Sequence, residues 1–129
     1  MNKYKNITDS EYRSQLERYA ARRLTEEGIE FCYECWQVPL VEAVKVAPVS
    51  YEKSGKKFKE ITSIRAMTYN PDFIGFNWII ETKGKRLPDF VIKWKLFKKY
   101  LFDNQKKYTL FMPTNQKEVE QCIEIIKTL

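Results

Sequence analysis

The sequence contains no histidine. This absence excludes Ser-His-Asp and Cys-His catalysis, histidine-ligated zinc hydrolysis and the nuclease motifs that depend on histidine. An enzyme built from this chain must therefore work with carboxylates, lysine, hydroxyl groups and, where it needs one, a hard metal ion.

Cysteine is also scarce, with residues only at positions 32, 35 and 122. Three cysteines are too few, and odd in number, for the disulfide framework of a secreted protein. Cys32 and Cys35 have the spacing of half a zinc knuckle, but the second pair of ligands is missing. We therefore expect ordinary, partly buried thiols in strands.

Long apolar runs are lacking as well. The longest are only a few residues, such as Trp78-Ile79-Ile80, so no membrane span and no membrane partner are expected. The N-terminus lacks the apolar core of a signal peptide, which favours an intracellular, cytoplasmic protein. A length of 129 residues predicts one domain over 1–129.

Positive charge is in excess, with a net charge of +6 and lysines in two clusters. Such clusters are often solvated surface, but aromatic residues between the lysines favour a polyanion, and DNA is the expected partner. The residues predicted to contact DNA are Lys53, Lys56, Lys57, Lys59, Lys85 and Arg86.

Apolar periodicity predicts the elements of the fold. A helix is expected over residues 9–27, opened by a Thr8–Glu11 capping box and closed at Gly28, and a loop over 50–60. Strands are expected at Ile29–Val38, Leu40–Val49, Ile61–Tyr69, Trp78–Lys83 and Tyr108–Met112, with helices starting at Pro88 and after Thr114 or Asn115. The order α-β-β-β-β-α-β-α predicts an α/β fold, a mixed sheet flanked by helices.

The segment from residue 69 to residue 84 carries the chemistry. Glu81 and Lys83 lie two apart on a predicted strand and so share a face, and the short turn at Gly75 folds Asp72 back beside Glu81. The simpler alternatives are a turn aspartate at Asp72 and an exposed ion pair between Glu81 and Lys83. Paired carboxylates hold Mg²⁺, for which Mn²⁺ can substitute, and a neighbouring lysine can orient water for phosphodiester hydrolysis.

These residues resemble the PD-(D/E)xK nuclease motif, as Pro71-Asp72 followed by Glu81-Thr82-Lys83. A second Pro-Asp pair, at Pro88-Asp89, is not followed in the sequence by a strand that contains Glu-x-Lys. Upstream, the segments Arg13-Ser-Gln-Leu-Glu17, Glu27-Gly-Ile-Glu-Phe31, Tyr33-Glu34 and Trp36-Gln-Val-Pro39 are similar to the bacteriophage endonuclease I family, which resolves DNA junctions. The likeness covers about the first two-thirds of the chain.

The resemblance implies a restriction-endonuclease-like core and a phage or prophage origin. It also implies a role for each residue of the site. Asp72, Glu81, Lys83 and Glu17 would be catalytic, and Asp72, Glu81, Glu17 and the main-chain carbonyl of Thr82 would hold Mg²⁺. From the helix pattern alone, Glu17 points either into a cleft or toward Arg13 and solvent.

The resemblance also implies a homodimer that cuts branched DNA without a small-molecule cofactor, with Phe31–Val38 and the segment after it as the subunit contact. Two departures bear on this. Cys32 replaces an acidic residue of the family, and the segment between Val38 and Asp72 is much longer here. The alternatives are a nuclease of the same fold for flaps, single-stranded ends or a short site, and a non-catalytic basic DNA-binding module.

Overall fold

The computed structural model describes residues 12–83 and 88–129, with the side chains of residues 46–48 excepted. The fold is mixed α/β, as predicted. Three helices and eight strands lie in the described ranges: α1 (Gln15–Glu26), β1 (Cys32–Tyr33), β2 (Val38–Val41), β3 (Val44–Ser54), β4 (Lys57–Ile64), β5 (Met67–Tyr69), β6 (Phe73–Ile74), β7 (Trp78–Ile80), α2 (Pro88–Asp103), β8 (Thr109–Phe111) and α3 (Gln116–Ile126).

The central sheet has four strands in the order β1-β6-β7-β8. The pairs β1–β6 and β6–β7 are antiparallel, whereas β7–β8 is parallel because α2 forms the crossover between them. The predicted mixed sheet is confirmed. Two antiparallel pairs, β2–β5 and β3–β4, form separate two-stranded ribbons.

Both faces of the central sheet are covered, and β7 shows how. Trp78 and Ile80 pack with buried residues of α1 and α3, while Ile79 packs with buried residues of α2. Alternate side chains of a strand point to opposite faces, so helices lie on each side of the sheet. This explains why β7 reads as a continuous apolar run.

The turn between β6 and β7 needs a glycine. The Gly75 N–H donates to the carbonyl of Trp78 at 2.8 Å. A Cβ at position 75 would overlap the Trp78 indole ring, which folds back over the turn. This hairpin, predicted from Gly75 and Asn77, sets Phe73 opposite Ile80 and brings Asp72 back toward Glu81.

Helix α1 starts later than predicted. The Thr8–Glu11 capping box lies outside the described residues. Residues 12–14 are not helical, so the predicted helix over 9–27 is wrong for these three residues. Ser14 caps the helix instead, since its hydroxyl accepts from the Glu17 N–H at 3.1 Å. The C-terminal stop at Gly28, which has φ +70°, is confirmed.

The predicted strand Ile29–Val38 is broken, and the prediction of free strand thiols is wrong for two cysteines. Glu34 has φ +47°, outside the range of a strand, and its turn brings Cys32 and Cys35 together as a disulfide. Only Cys32–Tyr33 pairs in the central sheet. Cys122, on the core side of α3, is a buried free thiol.

The predicted loop over 50–60 is wrong, because these residues belong to a long β-hairpin formed by β3 and β4. The turn occupies only Gly55 and Lys56, with Gly55 at φ +68°. The ribbon is exposed on both faces, so its sequence lacks the apolar alternation that marks a half-buried strand. The hairpin also includes parts of the predicted strands Leu40–Val49 and Ile61–Tyr69. These two predicted strands are interrupted at residues 42–43 and 65–66, respectively.

The later elements follow their predictions closely. Helix α2 starts at Pro88 and α3 is capped by Asn115, whose side chain accepts from the Glu118 N–H at 2.8 Å. Apolar periodicity predicts a core-facing stripe on α2 made of Phe90, Val91, Trp94, Phe97, Leu101 and Phe102. The prediction is wrong at Val91 and Phe102, which are exposed. None of the helices in the described part of the chain has the length and apolar character needed to cross a bilayer.

Candidate active site

A cleft of about 610 Å³ opens where β6 begins and β7 ends. Its walls come from α1, the turn after β1, β5, the ends of β6 and β7, and the first turns of α2. The cleft is lined by Arg13, Glu17, Glu34, Thr68, Tyr69, Asn70, Asp72, Glu81, Thr82, Lys83, Asp89, Phe90 and Lys93. All five residues predicted from the motif and the first helix therefore meet in one cavity.

Asp72 is held by backbone groups on both sides. Its main-chain carbonyl accepts from the Glu34 N–H at 2.9 Å. Its Oδ2 atom accepts from the Thr82 N–H at 2.9 Å and from the Thr82 hydroxyl at 2.8 Å. The Asp72 side chain thus provides the acceptor for the Thr82 N–H, which lies beyond the last β6–β7 backbone pair. These hydrogen bonds fix the position of Oδ2.

Glu81 and Lys83 share a face, as the period-two alternation predicts. The N–H groups of both residues continue the pairing with the last sheet strand, donating to the carbonyls of Phe111 at 2.9 Å and Pro113 at 3.0 Å. The Lys83 Nζ lies 3.3 Å from Glu81 Oε2 and 4.1 Å from the centre of the Phe90 ring. The ammonium is therefore held between a buried carboxylate and an aromatic face.

Glu17 points into the cleft, which settles the orientation left open by the helix pattern. It lies in the first turn of α1, is 7% exposed, and its Oε2 accepts a hydrogen bond from the Tyr33 hydroxyl. Arg13, the alternative partner, instead forms an ion pair with Glu34 at 3.1 Å. Tyr69 donates to Glu81 Oε1 in the same way that Tyr33 donates to Glu17.

Glu34 is a site residue that sequence reasoning missed. Carboxylate oxygens of Glu17, Glu34 and Asp72 lie within 4.8 Å of one another. The predicted metal set has Glu81 in place of Glu34, but Glu81 is not part of this cluster, and its oxygens contact Tyr69 and Lys83. A strand through residue 34 would have directed this side chain elsewhere, and nothing in the sequence marks the turn there.

Burial and like charges perturb the carboxyl groups. Burial raises the pKa of Asp72 to about 7, with the negative charges of Glu81 and Glu17 adding to the effect and the Thr82 hydrogen bonds opposing it. Burial also raises the pKa of Glu81, against the opposing effects of Tyr69 and Lys83. Burial first, and the carboxylates second, raise the pKa of Tyr33 and Tyr69, so both hydroxyls stay protonated donors.

Thr82 lines the cleft beside Asp72, and a metal-ligand role for its carbonyl stays a prediction. The predicted DNA-binding residues on the hairpin lie elsewhere. Lys53, Lys56, Lys57 and Lys59 are exposed on the β3–β4 hairpin and do not line the cleft. Lys85 and Arg86 lie outside the described residues.

The start of α2 also belongs to the site. Asp89, part of the Pro-Asp pair that has no Glu-x-Lys strand behind it, lines the cleft together with Lys93. Pro88 at the first helical position predicts the helix start, but only the packing of α2 across the sheet brings that start to the cleft.

Comparisons of the chain with protein-family models, curated proteins and solved structures find no match. Function must therefore be inferred from the side chains of the cleft themselves.

Proposed function

We propose that this chain is a magnesium-dependent DNA endonuclease with a restriction-endonuclease-like core. One observation carries the proposal: Glu17, Asp72 and Glu81, all at least nine-tenths buried, line the same cleft as Lys83. Buried carboxylates side by side destabilise a fold unless a cation offsets them, so their presence favours a function that needs them.

The donor set fits a hard divalent ion. The cleft is lined by five carboxylates, on Glu17, Glu34, Asp72, Glu81 and Asp89, against three cationic side chains. This leaves an excess of two negative charges, which one Mg²⁺ or Mn²⁺ balances. Carboxylate oxygens are the ligands that Mg²⁺ prefers, and Glu17, Glu34 and Asp72 present theirs to a common point.

Bound there, a divalent ion would lower the pKa of a water molecule and stabilise negative charge on a phosphate. The protein supplies the rest. Lys83, held against Phe90, offers an ammonium that can orient the attacking water and contact a phosphate oxygen. The Tyr33 and Tyr69 hydroxyls hold the carboxylates of Glu17 and Glu81 in fixed orientations.

The finer form of the proposal is selective cutting of branched DNA by a homodimer. Resolving a four-way junction takes two matched incisions, and a two-fold dimer supplies two sites. Phe31, Cys32 and Val38 are buried within the chain, so they are not free to form the predicted subunit contact. Light scattering measures the assembly directly.

The test is a plasmid-nicking assay with Mg²⁺, Mn²⁺, Ca²⁺ or a chelator. Cleavage is expected with Mg²⁺ or Mn²⁺ only, and Ca²⁺ should support binding without cutting. Asp72→Asn, Glu81→Gln and Lys83→Ala should each abolish cleavage, and Glu17→Gln should reduce it strongly. A panel of linear, flapped and four-way substrates then measures selectivity.

The matched control is Asp103→Asn, which makes the same change at an exposed carboxylate paired with Lys99 on α2. It should cut like the unmodified protein. Full activity in Asp72→Asn would show that the site is elsewhere. Metal-independent DNA binding with no cleavage under any condition would assign the chain to non-catalytic DNA-binding modules.

A further inference from the structure

The β3–β4 hairpin extends beyond the helix-covered sheet. Its strands span Val44–Ser54 and Lys57–Ile64, and among its described side chains only Ile61 is even partly buried. A two-stranded ribbon without a third layer is only marginally stable in water. Two large rings, Tyr51 and Phe58, are nevertheless 67% and 68% exposed on it.

The strand register places both rings on one face. Tyr51 pairs with Glu60 and Lys53 pairs with Phe58, and directly opposed residues of an antiparallel pair share a face. Tyr51 and Phe58 are therefore diagonal neighbours, with the Lys53 ammonium and the Glu60 carboxylate on the same face. We call this the ring face of the hairpin.

The opposite face carries different chemistry. Glu52 pairs with Lys59, and Ser54 pairs with Lys57, so two of the predicted DNA-binding lysines point away from the ring face. Lys56 lies in the turn. The lysine cluster that the sequence suggested is thus divided between two faces and a tip.

Charge indicates what covers the ring face. The hairpin, residues 44–64, contains five lysines against two glutamates. No ion pair joins these lysines to a carboxylate among the described residues. A second copy of the hairpin would bring like charge, whereas a polyanion complements it.

Two exposed rings on a hairpin that has an excess of three positive charges match single-stranded nucleic acid. Unpaired bases stack on aromatic side chains while the backbone phosphates contact lysines, and this binding tolerates any sequence. Bases inside a duplex are already stacked and present no free face. We propose that the ring face binds unpaired bases of single-stranded DNA; as a statement about the substrate of the enzyme, this rests on the proposed nuclease function.

The experiment measures fluorescence anisotropy of a labelled oligo-dT strand and of a duplex, both with a chelator present so that no cleavage occurs. The double variant Tyr51→Leu with Phe58→Leu keeps the apolar bulk but removes the π faces. It should bind oligo-dT roughly 10-fold more weakly or worse, because stacking contributes strongly per base. Duplex affinity should change little, and Tyr51→Phe should bind normally.

The matched control is Lys57→Gln with Lys59→Gln on the opposite face. It should weaken binding to single strands and duplex alike and flatten the salt dependence, by roughly 0.7 in slope for each phosphate of the single strand that is no longer neutralised. The ring variant should keep the slope of the unmodified protein, since stacking releases no counterions.

A second measurement needs no variant. Oligo-dT containing a photoreactive uridine should crosslink to Tyr51 or Phe58 when the adducts are located by mass spectrometry. Unchanged oligo-dT affinity in the ring variant, or crosslinks only elsewhere, would overturn the proposal. So would a ring variant that turns a dimer into a monomer, because the rings would then belong to a subunit contact. Nicking by the unmodified protein is scored separately, so either proposal can fail alone.

Discussion

Removing the charge of Asp72 should stabilise the protein while it abolishes cleavage. In Asp72→Asn, the side-chain oxygen of asparagine can still accept both hydrogen bonds from Thr82. The amide carries no charge, so it avoids the cost of burying a carboxylate, which is the main cause of the raised pKa of Asp72, and it does not repel the carboxylates of Glu81 and Glu17. The variant therefore keeps the geometry and loses both the burial cost of the charge and the repulsion.

The pKa of Asp72 sets the size of the effect. It rises from 3.8 to about 7 on folding, so the folded protein binds a proton more tightly than the unfolded chain. The stability that Asp72 contributes is fully present below pH 3.8 and is lost as the pH rises to about 7. Each pH unit in this window is worth about 1.4 kcal/mol, so the loss above pH 7 approaches roughly 4 kcal/mol.

Urea denaturation in a chelator, from pH 4 to pH 8, measures this loss. The variant should be more stable than the unmodified protein by roughly 2–4 kcal/mol at pH 8, and the difference should shrink toward pH 4. Adding Mg²⁺ should raise the unfolding temperature of the unmodified protein alone. Identical pH profiles for the two proteins would refute the reasoning, since the charge of Asp72 would then cost the folded protein nothing.

Two further predictions concern the carboxylate support and the core. Tyr33→Phe removes the donor to Glu17 and should weaken Mn²⁺ binding, measured by calorimetry, by roughly 10-fold or more; unchanged affinity would mean that the hydroxyl does not orient that carboxylate. Phe97→Ala, at a fully buried ring, should lower the free energy of unfolding by about 3–5 kcal/mol, whereas Phe102→Ala, 82% exposed on the same helix, should change it by less than about 0.5 kcal/mol. Equal losses would show that α2 packs through another face.

The sequence predicts elements well where one physical signal dominates. The alternation at Glu81 and Lys83, the glycine turn at Gly75 and the cap at Asn115 are local features, and all three are confirmed. The meeting of Asp72 with Glu81 follows from them because a short hairpin has few registers.

The sequence fails where tertiary contacts decide. Glu34 reaches the cleft because it adopts a left-handed conformation, which the surrounding β-forming residues do not predict. Asp89 lines the cleft because α2 crosses the sheet. The β3–β4 hairpin could not be predicted, since two solvated faces leave no hydrophobic period in its sequence.

The way the β3–β4 hairpin leaves the rest of the protein has a consequence for how this chain can vary. Val41 pairs with Met67 at the top of the β2–β5 ribbon, and Val44 pairs with Ile64 just beyond, so the chain departs and returns at adjacent positions. Lengthening or trimming the ribbon leaves those end points where they are. Insertions or deletions at its tip can therefore change the hairpin without moving the carboxylate cleft, which is built from other segments.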